Sequence, residues 1–225
     1  MAKAKGALSQ DEMKILRPKV VAIVERLSKV FPEPGTALYF SNPLELLVAT
    51  VLSAQCTDER VNQVTRSLFE AYRTAQDYAD EDRSVLEERI RSTGYYRQKA
   101  RAIQEICRAL VERFDGEVPG DLESLTSLPG VGRKTANLVL SEAFGIPGII
   151  VDTHVKRVAG RIGLTRQKDP VKIEMELMGY VPREQWSRLS NLLIWHGRRT
   201  CTARSPRCPR CPIQDLCDYP EKTRD

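Results

Sequence analysis

From one end of the chain to the other, apolar residues recur at helical rather than alternating spacing. Leu16, Val20, Ile23, Val24, Leu27 and Val30 fall three or four positions apart or side by side on one face. They predict a helix over 13–30, stopped by the stretch from Pro32 to Gly35. Helices are expected next at 43–55 and 58–71, parted by a Thr57-Asp58 capping signal. A short amphipathic segment over 84–91 follows. Over 97–113 the residues Ala100, Ile103, Cys107, Leu110, Val111 and Phe114 lie on or near one face. A short helix is expected over 121–127 and a longer one over 133–144. Gly145, Pro147 and Gly148 then break the chain before the apolar run Gly148-Ile149-Ile150-Val151. Asp152 stands where an N-cap would open a helix through Arg161, and helices at 170–178 and 183–197 complete the series. No stretch sustains period-two alternation, and no strand-turn-helix glycine motif occurs, so the fold class is all-α rather than nucleotide-binding α/β.

At 225 residues and 41% hydrophobic content the chain can bury a core without disulfide staples. Met1 to Gln10 are small or polar with two lysines and lack the apolar run of a leader, and no stretch offers 18 uncharged apolar residues. The expectation is a soluble protein of the reducing cytoplasm, with no membrane partner. Cys56 reads as a small, partly buried helix residue and Cys107 as one that fills core, neither with chemistry.

The other four cysteines crowd the end of the chain. Cys201, Cys208, Cys211 and Cys217 form Cys-x6-Cys-x2-Cys-x5-Cys. Such short loops let four thiolates converge on one soft-ligand centre, each taking a corner of a [4Fe-4S] cubane. Structural zinc is the competing ligand, but it usually takes two short Cys-x2-4-Cys knuckles, and only Cys208 and Cys211 make one. Free or disulfide-bonded cysteines are the remaining reading. Arg198, Arg199, Arg204, Arg207 and Arg210 surround these positions, and no Asp or Glu occurs between His196 and Gln214. That local excess is a candidate phosphate-facing surface. The formal net charge is +5; a cluster on four thiolates would leave about +3. Nucleic-acid affinity must therefore rest on where charge is placed.

A second constellation lies mid-chain. Leu122, Leu125 and Leu128 precede Pro129-Gly130-Val131-Gly132, after which Arg133-Lys134-Thr135-Ala136 resumes helical periodicity. This pattern is a helix-hairpin-helix. Its glycines permit a close bend and leave free amides at the start of the second helix, where a phosphate is favoured by hydrogen bonding and by the helix dipole. The plainer reading is a packing corner. Lys134 stands at that end, where positive potential and partial burial would favour a neutral, nucleophilic amine; simple phosphate contact is its other reading. Asp152 follows 18 positions later and reads either as a catalytic carboxylate or as an N-cap.

The combination of Leu128-Pro-Gly-Val-Gly-Arg-Lys134, Val151-Asp-Thr-His154 and the closing cysteine pattern resembles the endonuclease III family of DNA base-excision repair enzymes. The likeness covers nearly the whole chain, including Leu52-Ser-Ala-Gln55, and leaves out about the first dozen residues and the last few. It implies a two-lobed helix-hairpin-helix glycosylase fold with a C-terminal [4Fe-4S] loop. Residues 36–148 would form the central lobe, and 1–35 with 149–225 the iron-sulfur lobe, damaged double-stranded DNA lying across their cleft. It implies that Lys134 is the nucleophile and Asp152 the catalytic carboxylate of a bifunctional glycosylase and abasic-site lyase acting on oxidised pyrimidines. Gln55 would enter the gap left by the extruded nucleotide. Tyr95, after Gly94, takes the wedge position where the best-known relatives carry leucine, a departure that bears on the opposite-base preference. Gly130, Gly132, Arg133, His154, Arg199, Arg204 and Arg207 would contact DNA, and one [4Fe-4S] cluster on the four cysteines would fold the basic loop. His196 is expected to be structural, and the protein a nucleoid-associated monomer.

Two other functions compete. A monofunctional or mismatch-specific uracil or thymine glycosylase shares the scaffold, but Lys134 favours lyase chemistry. A noncatalytic iron-sulfur DNA-binding protein would keep the hairpin without using the amine. A plain iron-sulfur electron carrier would leave the hairpin, Lys134 and Asp152 without a purpose.

Overall fold

The computed structural model describes residues 8–223. The expectation about Met1–Gln10 falls mostly outside them. In chain order the helices are α1 (Gln10–Val30), α2 (Pro43–Leu52), α3 (Asp58–Ala71), α4 (Ala75–Asp80), α5 (Arg83–Ile90) and α6 (Tyr96–Phe114). They continue as α7 (Leu122–Thr126), α8 (Arg133–Ala143), α9 (Thr153–Arg161), α10 (Pro170–Met178) and α11 (Trp186–Arg199). Three single 3-10 turns, Arg91–Thr93, Arg183–Gln185 and Cys208–Arg210, complete the inventory, and no strand occurs among the described residues. No helix there is long and apolar enough to cross a membrane.

The chain divides into two compact units: one spans Thr36–Ile146, and the other combines the chain up to Gly35 with the part from Pro147 onward. In the discontinuous unit, α1 turns Val20, Ile23 and Leu27 inward, joined by Val155, Val158 and Ala159 of α9 and Leu189, Leu192 and Leu193 of α11. Gly197 sets how closely α9 and α11 approach, because a Cβ there would sit 2.9 Å from the Cβ of His154 and 3.1 Å from the Arg157 guanidinium. In the central unit, α6 supplies Ile103, Cys107 and Leu110 to a core shared with Leu46, Leu47 and Leu52 of α2 and Leu86 and Ile90 of α5. Burial pushes the Cys107 thiol up to about 12, as expected of a cysteine that only fills space.

Helix starts follow side-chain caps. Ser9 and Glu12 make a reciprocal capping box, which starts α1 three residues before the apolar pattern does. Thr57, Asp121, Asp152 and Asp169 each accept a hydrogen bond from an amide of the helix they precede.

Two local expectations need correction. The helix predicted over 43–55 ends at Leu52, because Gln55 adopts a left-handed φ of 52° that no continuing helix allows. Cys56 consequently lies in the bend before α3 rather than in a helix, half-buried against the core. The short helix α4 has no counterpart in the periodicity. It is six residues long, too short to display a repeat, yet its Tyr78 is sealed in the core with its ring tilted against that of Tyr72, centres 4.8 Å apart. Gln104 of α6 holds it by donating to the Tyr78 and Glu81 carbonyls.

Candidate functional site

The hairpin forms where the sequence places it. Helix α7 ends in a Ser127 cap, Val131 N–H donates to the Leu128 carbonyl at 3.2 Å, and Gly132 caps α8. Gly130 has a φ of +71°, the left-handed conformation that explains a glycine there. Gly132 has an ordinary extended φ of −86°, and a Cβ on it would meet nothing within 4 Å. Its lack of a side chain is thus not demanded by neighbouring protein atoms. It also brings no side-chain cap to α8, unlike the Asp and Ser caps elsewhere in the fold. Apolar anchoring sits directly beneath: Leu125, Leu128, Val131 and Ala136 are buried. Arg113 of α6 donates to both the carbonyl and the hydroxyl of Ser127, fixing the entry to the turn.

Lys134 is the second residue of α8 and is exposed, and Arg133 beside it is half-buried. The partial burial expected of Lys134 is therefore not found: the bend beneath it is filled by Val131 and Ala136, which leaves the amine outside. Gln55 and Tyr95 belong to the same unit. Each is an exposed non-glycine residue in left-handed conformation, with φ of 52° and 48°. Tyr95 is 59% exposed and follows Gly94, itself at φ +71°. Left-handed backbone costs roughly 1–2 kcal/mol for such residues, a strain that packing around the turn must offset.

The remaining candidates lie in the discontinuous unit. Asp152 caps α9, its carboxylate accepting from Val155 N–H at 2.8 Å, so the capping reading is realised. The run before it is held down by α11, where Ser187 and Ser190 hydroxyls accept from the Gly148 and Ile150 amides. His154 has its Nδ1 3.2 Å from the Arg157 guanidinium. Burial lowers its basicity, opposed by the charge of Asp152 and assisted by Arg157 and Arg198.

Cys201, Cys208, Cys211 and Cys217 line one small hollow together with Arg161 and His196. None is in a disulfide. No group of three or more His, Cys, Asp or Glu among the described residues is placed to hold a single metal ion. A tetrahedral zinc would gather its sulfurs to about 2.3 Å from one point. Four thiols around a hollow suit a polynuclear centre with a sulfur at each corner instead. Burial pushes the Cys211 thiol up to about 11 and the Cys217 thiol also upward, with neighbouring cysteines adding to the effect.

In and beside the hollow's wall lie groups that spacing did not reveal. Arg161 donates to Cys201 Sγ at 3.4 Å and to the Thr202 and Ala203 carbonyls, while its guanidinium stacks 4.5 Å from the Tyr219 ring centre. Arg157 donates to the carbonyls of Gly197 and Cys201. Both read in sequence as ordinary solvent-facing arginines of α9; their position one turn apart, at i and i+4, is the one available signal. His196 is 1% exposed with Nε2 3.6 Å from Cys211 Sγ, and burial depresses its pKa to about 4, in keeping with a structural role. Arg199, Arg204 and Arg207 are exposed, Arg199 lying 5.2 Å from the Trp195 ring centre.

Residues 48–183 match the family model of the HhH-GPD superfamily base excision DNA repair protein, and residues 201–217 match that of the iron-sulfur binding domain of endonuclease III. The chain is 50% identical to an endonuclease III of Synechocystis over 202 residues, covering 89% of this chain and 92% of that protein. It is 45% identical to an Escherichia coli endonuclease III over 206 residues, covering 92% and 98%. Among solved structures it is similar to a trapped endonuclease III–DNA covalent intermediate at 49% identity and a TM-score of 0.84, covering 90% of this chain and 95% of that one. A thermostable thymine-DNA glycosylase shares the fold at 24% identity, a TM-score of 0.79 and coverage of 94% and 97%.

Proposed function

The chain belongs to the endonuclease III family of base-excision repair proteins, and from that premise we propose how its own residues divide the work. The protein is a DNA N-glycosylase and abasic-site lyase that removes oxidised pyrimidines from duplex DNA and cuts the strand 3′ to the abasic site. It carries one [4Fe-4S] cluster, for which Cys201, Cys208, Cys211 and Cys217 are the ligands we propose. The cluster cross-links a loop that has little apolar core of its own and so holds Arg204 and Arg207 in place.

In this proposal the hairpin grips one strand's phosphate through the first amides of α8 and through Arg133, with Gly132 leaving the backbone open to close approach. Grip on the backbone carries no sequence information, which suits an enzyme that must scan. The target nucleotide leaves the stack at a cost of a few kcal/mol. Gln55 and Tyr95 meet the gap it leaves, Gln55 with an amide for the orphaned partner base and Tyr95 with a ring that stacks on it.

Lys134 Nζ then attacks C1′ of the extruded sugar, and the base departs with the electron pair of the glycosidic bond. The amine then gives up one proton, and its lone pair forms the C1′=N bond of a protonated Schiff base as the C1′–O4′ bond breaks, O4′ taking that electron pair and a proton. Removal of a proton from C2′ lets the C3′–O bond break, its electrons leaving with the 3′ phosphate. Asp152 assists by accepting the amine's proton or by stabilising positive charge on the sugar. His154, Arg199, Arg204 and Arg207 contact the duplex on this reading. The enzyme acts as a monomer at the nucleoid of the cytoplasm, since one hairpin suffices for scanning.

The observation that carries the proposal is Lys134 held exposed in the first turn of a helix that opens from the glycine hairpin, with Gly132 as its N-cap. Base release measured in parallel on thymine glycol, on a G:T mismatch and on a plain abasic site tests it. Release from thymine glycol with strand cleavage is expected, and Asp152→Asn should slow both more than it weakens binding. Release from the mismatch alone, without cleavage, would favour the monofunctional alternative.

A further inference from the structure

Lys99 is a lysine of α6 that is only 4% exposed, and no part of the chemistry above uses it. Lysines are rarely buried without partners. Its Nζ donates to the Leu52 carbonyl at 2.7 Å and to the Thr93 carbonyl at 2.8 Å. Leu52 is the last residue of α2, and Thr93 is the last residue of the 3-10 turn before α6. Both acceptors are helix-end carbonyls, groups that carry partial negative charge and lack a partner further along their own helix.

These two ends launch the two strained turns. Gln55, at φ 52°, comes three residues after Leu52, and Tyr95, at φ 48°, comes two residues after Thr93. Leu52 and Thr93 lie far apart in sequence, so the ammonium joins turns the chain does not itself connect. We propose that Lys99 is a positioning residue that ties the Gln55 turn to the Tyr95 turn and so fixes the spacing of the two side chains that meet the gap in the DNA. The proposal rests on the reading of Gln55 and Tyr95 as DNA probes. Neither turn carries a helix-to-helix side-chain cap that would do this work: Tyr95 offers α6 none, and Ser53 Oγ is turned back to the Thr50 carbonyl. Burial holds the Lys99 amine below the usual lysine range, a cost that two short charge-assisted hydrogen bonds offset.

The test uses the full-length, cluster-loaded protein and a duplex with 2-aminopurine beside a tetrahydrofuran abasic analogue, read as fluorescence at saturating protein. Gln55→Ala and Tyr95→Ala should each reduce the unstacking signal. Lys99→Met should reduce it by about threefold or more, with the Gln55→Ala/Lys99→Met double variant losing less than the two singles combined. Lys99→Arg, which keeps charge and donors, should recover part of the signal. Affinity for undamaged duplex should stay within about twofold of the original, because phosphate contacts are untouched. A merely structural role would lower the melting temperature without this coupling. Should Lys99→Met fail to fold, Lys99→Gln gives the same reading with a shorter donor. If Gln55→Ala and Tyr95→Ala lower the signal while Lys99 variants leave it unchanged, the clamp is refuted. If Gln55→Ala and Tyr95→Ala are themselves silent, the reading of the probes fails and the clamp has nothing to position.

Discussion

Around α6 the central unit is closed by apolar side chains, with Ile103, Cys107 and Leu110 packed against α2 and α5. From residue 200 to 223, Ile213 alone belongs to the buried hydrophobic core, and the backbone is tied down by polar contacts instead, those of Arg157 and Arg161 among them. Arg157 and Arg161 reach into that stretch with five hydrogen bonds to Cys201, Thr202 and Ala203, one of them to sulfur, and Arg157 adds a sixth to Gly197 just before it. On the proposed ligation, the difference explains what the four cysteines contribute. A loop too poor in apolar area to fold by burial can still be ordered by ligation, and it is then free to carry arginines on its surface.

The largest effect expected from this contrast comes from removing a ligand. Cys211→Ser should abolish the cluster's visible absorbance and weaken duplex binding by about tenfold or more, since ligation energy is folding energy for the loop. Circular dichroism should report the helices of the central unit still formed. Unchanged duplex affinity would show that the loop holds itself. Leu110→Ala attacks the other region: its side chain is fully buried, so a loss of about 2–5 kcal/mol is expected in denaturant titration. Cluster absorbance should persist until global unfolding. The smallest effect lies at the start of α1. Hydrogen bonds from the Ser9 backbone, then the Arg166 side chain, hold Glu12 at a pKa of about 2, below its ordinary 4.5. A depressed carboxylate adds stability above its unfolded value and loses it as pH falls through the folded one. Stability should therefore decline between pH 4.5 and about 2, and Glu12→Gln should flatten that part of a pH-dependent melting curve.

Much of this was legible in the residues because long amphipathic helices announce themselves. Helices α3, α8 and α10 fall within a residue or so of the periodicity, and Asp152 caps α9 as its position implied. What the sequence hid was short, left-handed or distant. Helix α4 is too brief to repeat, and nothing local says that Gln55 and Tyr95 will take positive φ, which is rare outside glycine. Lys99, Arg157 and Arg161 look like exposed helix cations because their partners are carbonyls and a thiol remote in the chain. The two glycines of the hairpin differ: Gly130 is explained by its left-handed backbone, while neither backbone conformation nor a neighbouring protein atom demands a glycine at Gly132.

Everything chemical in this account depends on the Lys134 amine. Incubating the protein with abasic duplex and borohydride should reduce a Schiff base to a stable adduct, and peptide mapping should place the sugar on Lys134. Lys134→Gln should yield no adduct while keeping most of the affinity for duplex. An adduct that survives this substitution, or that maps to another residue, would contradict the assignment.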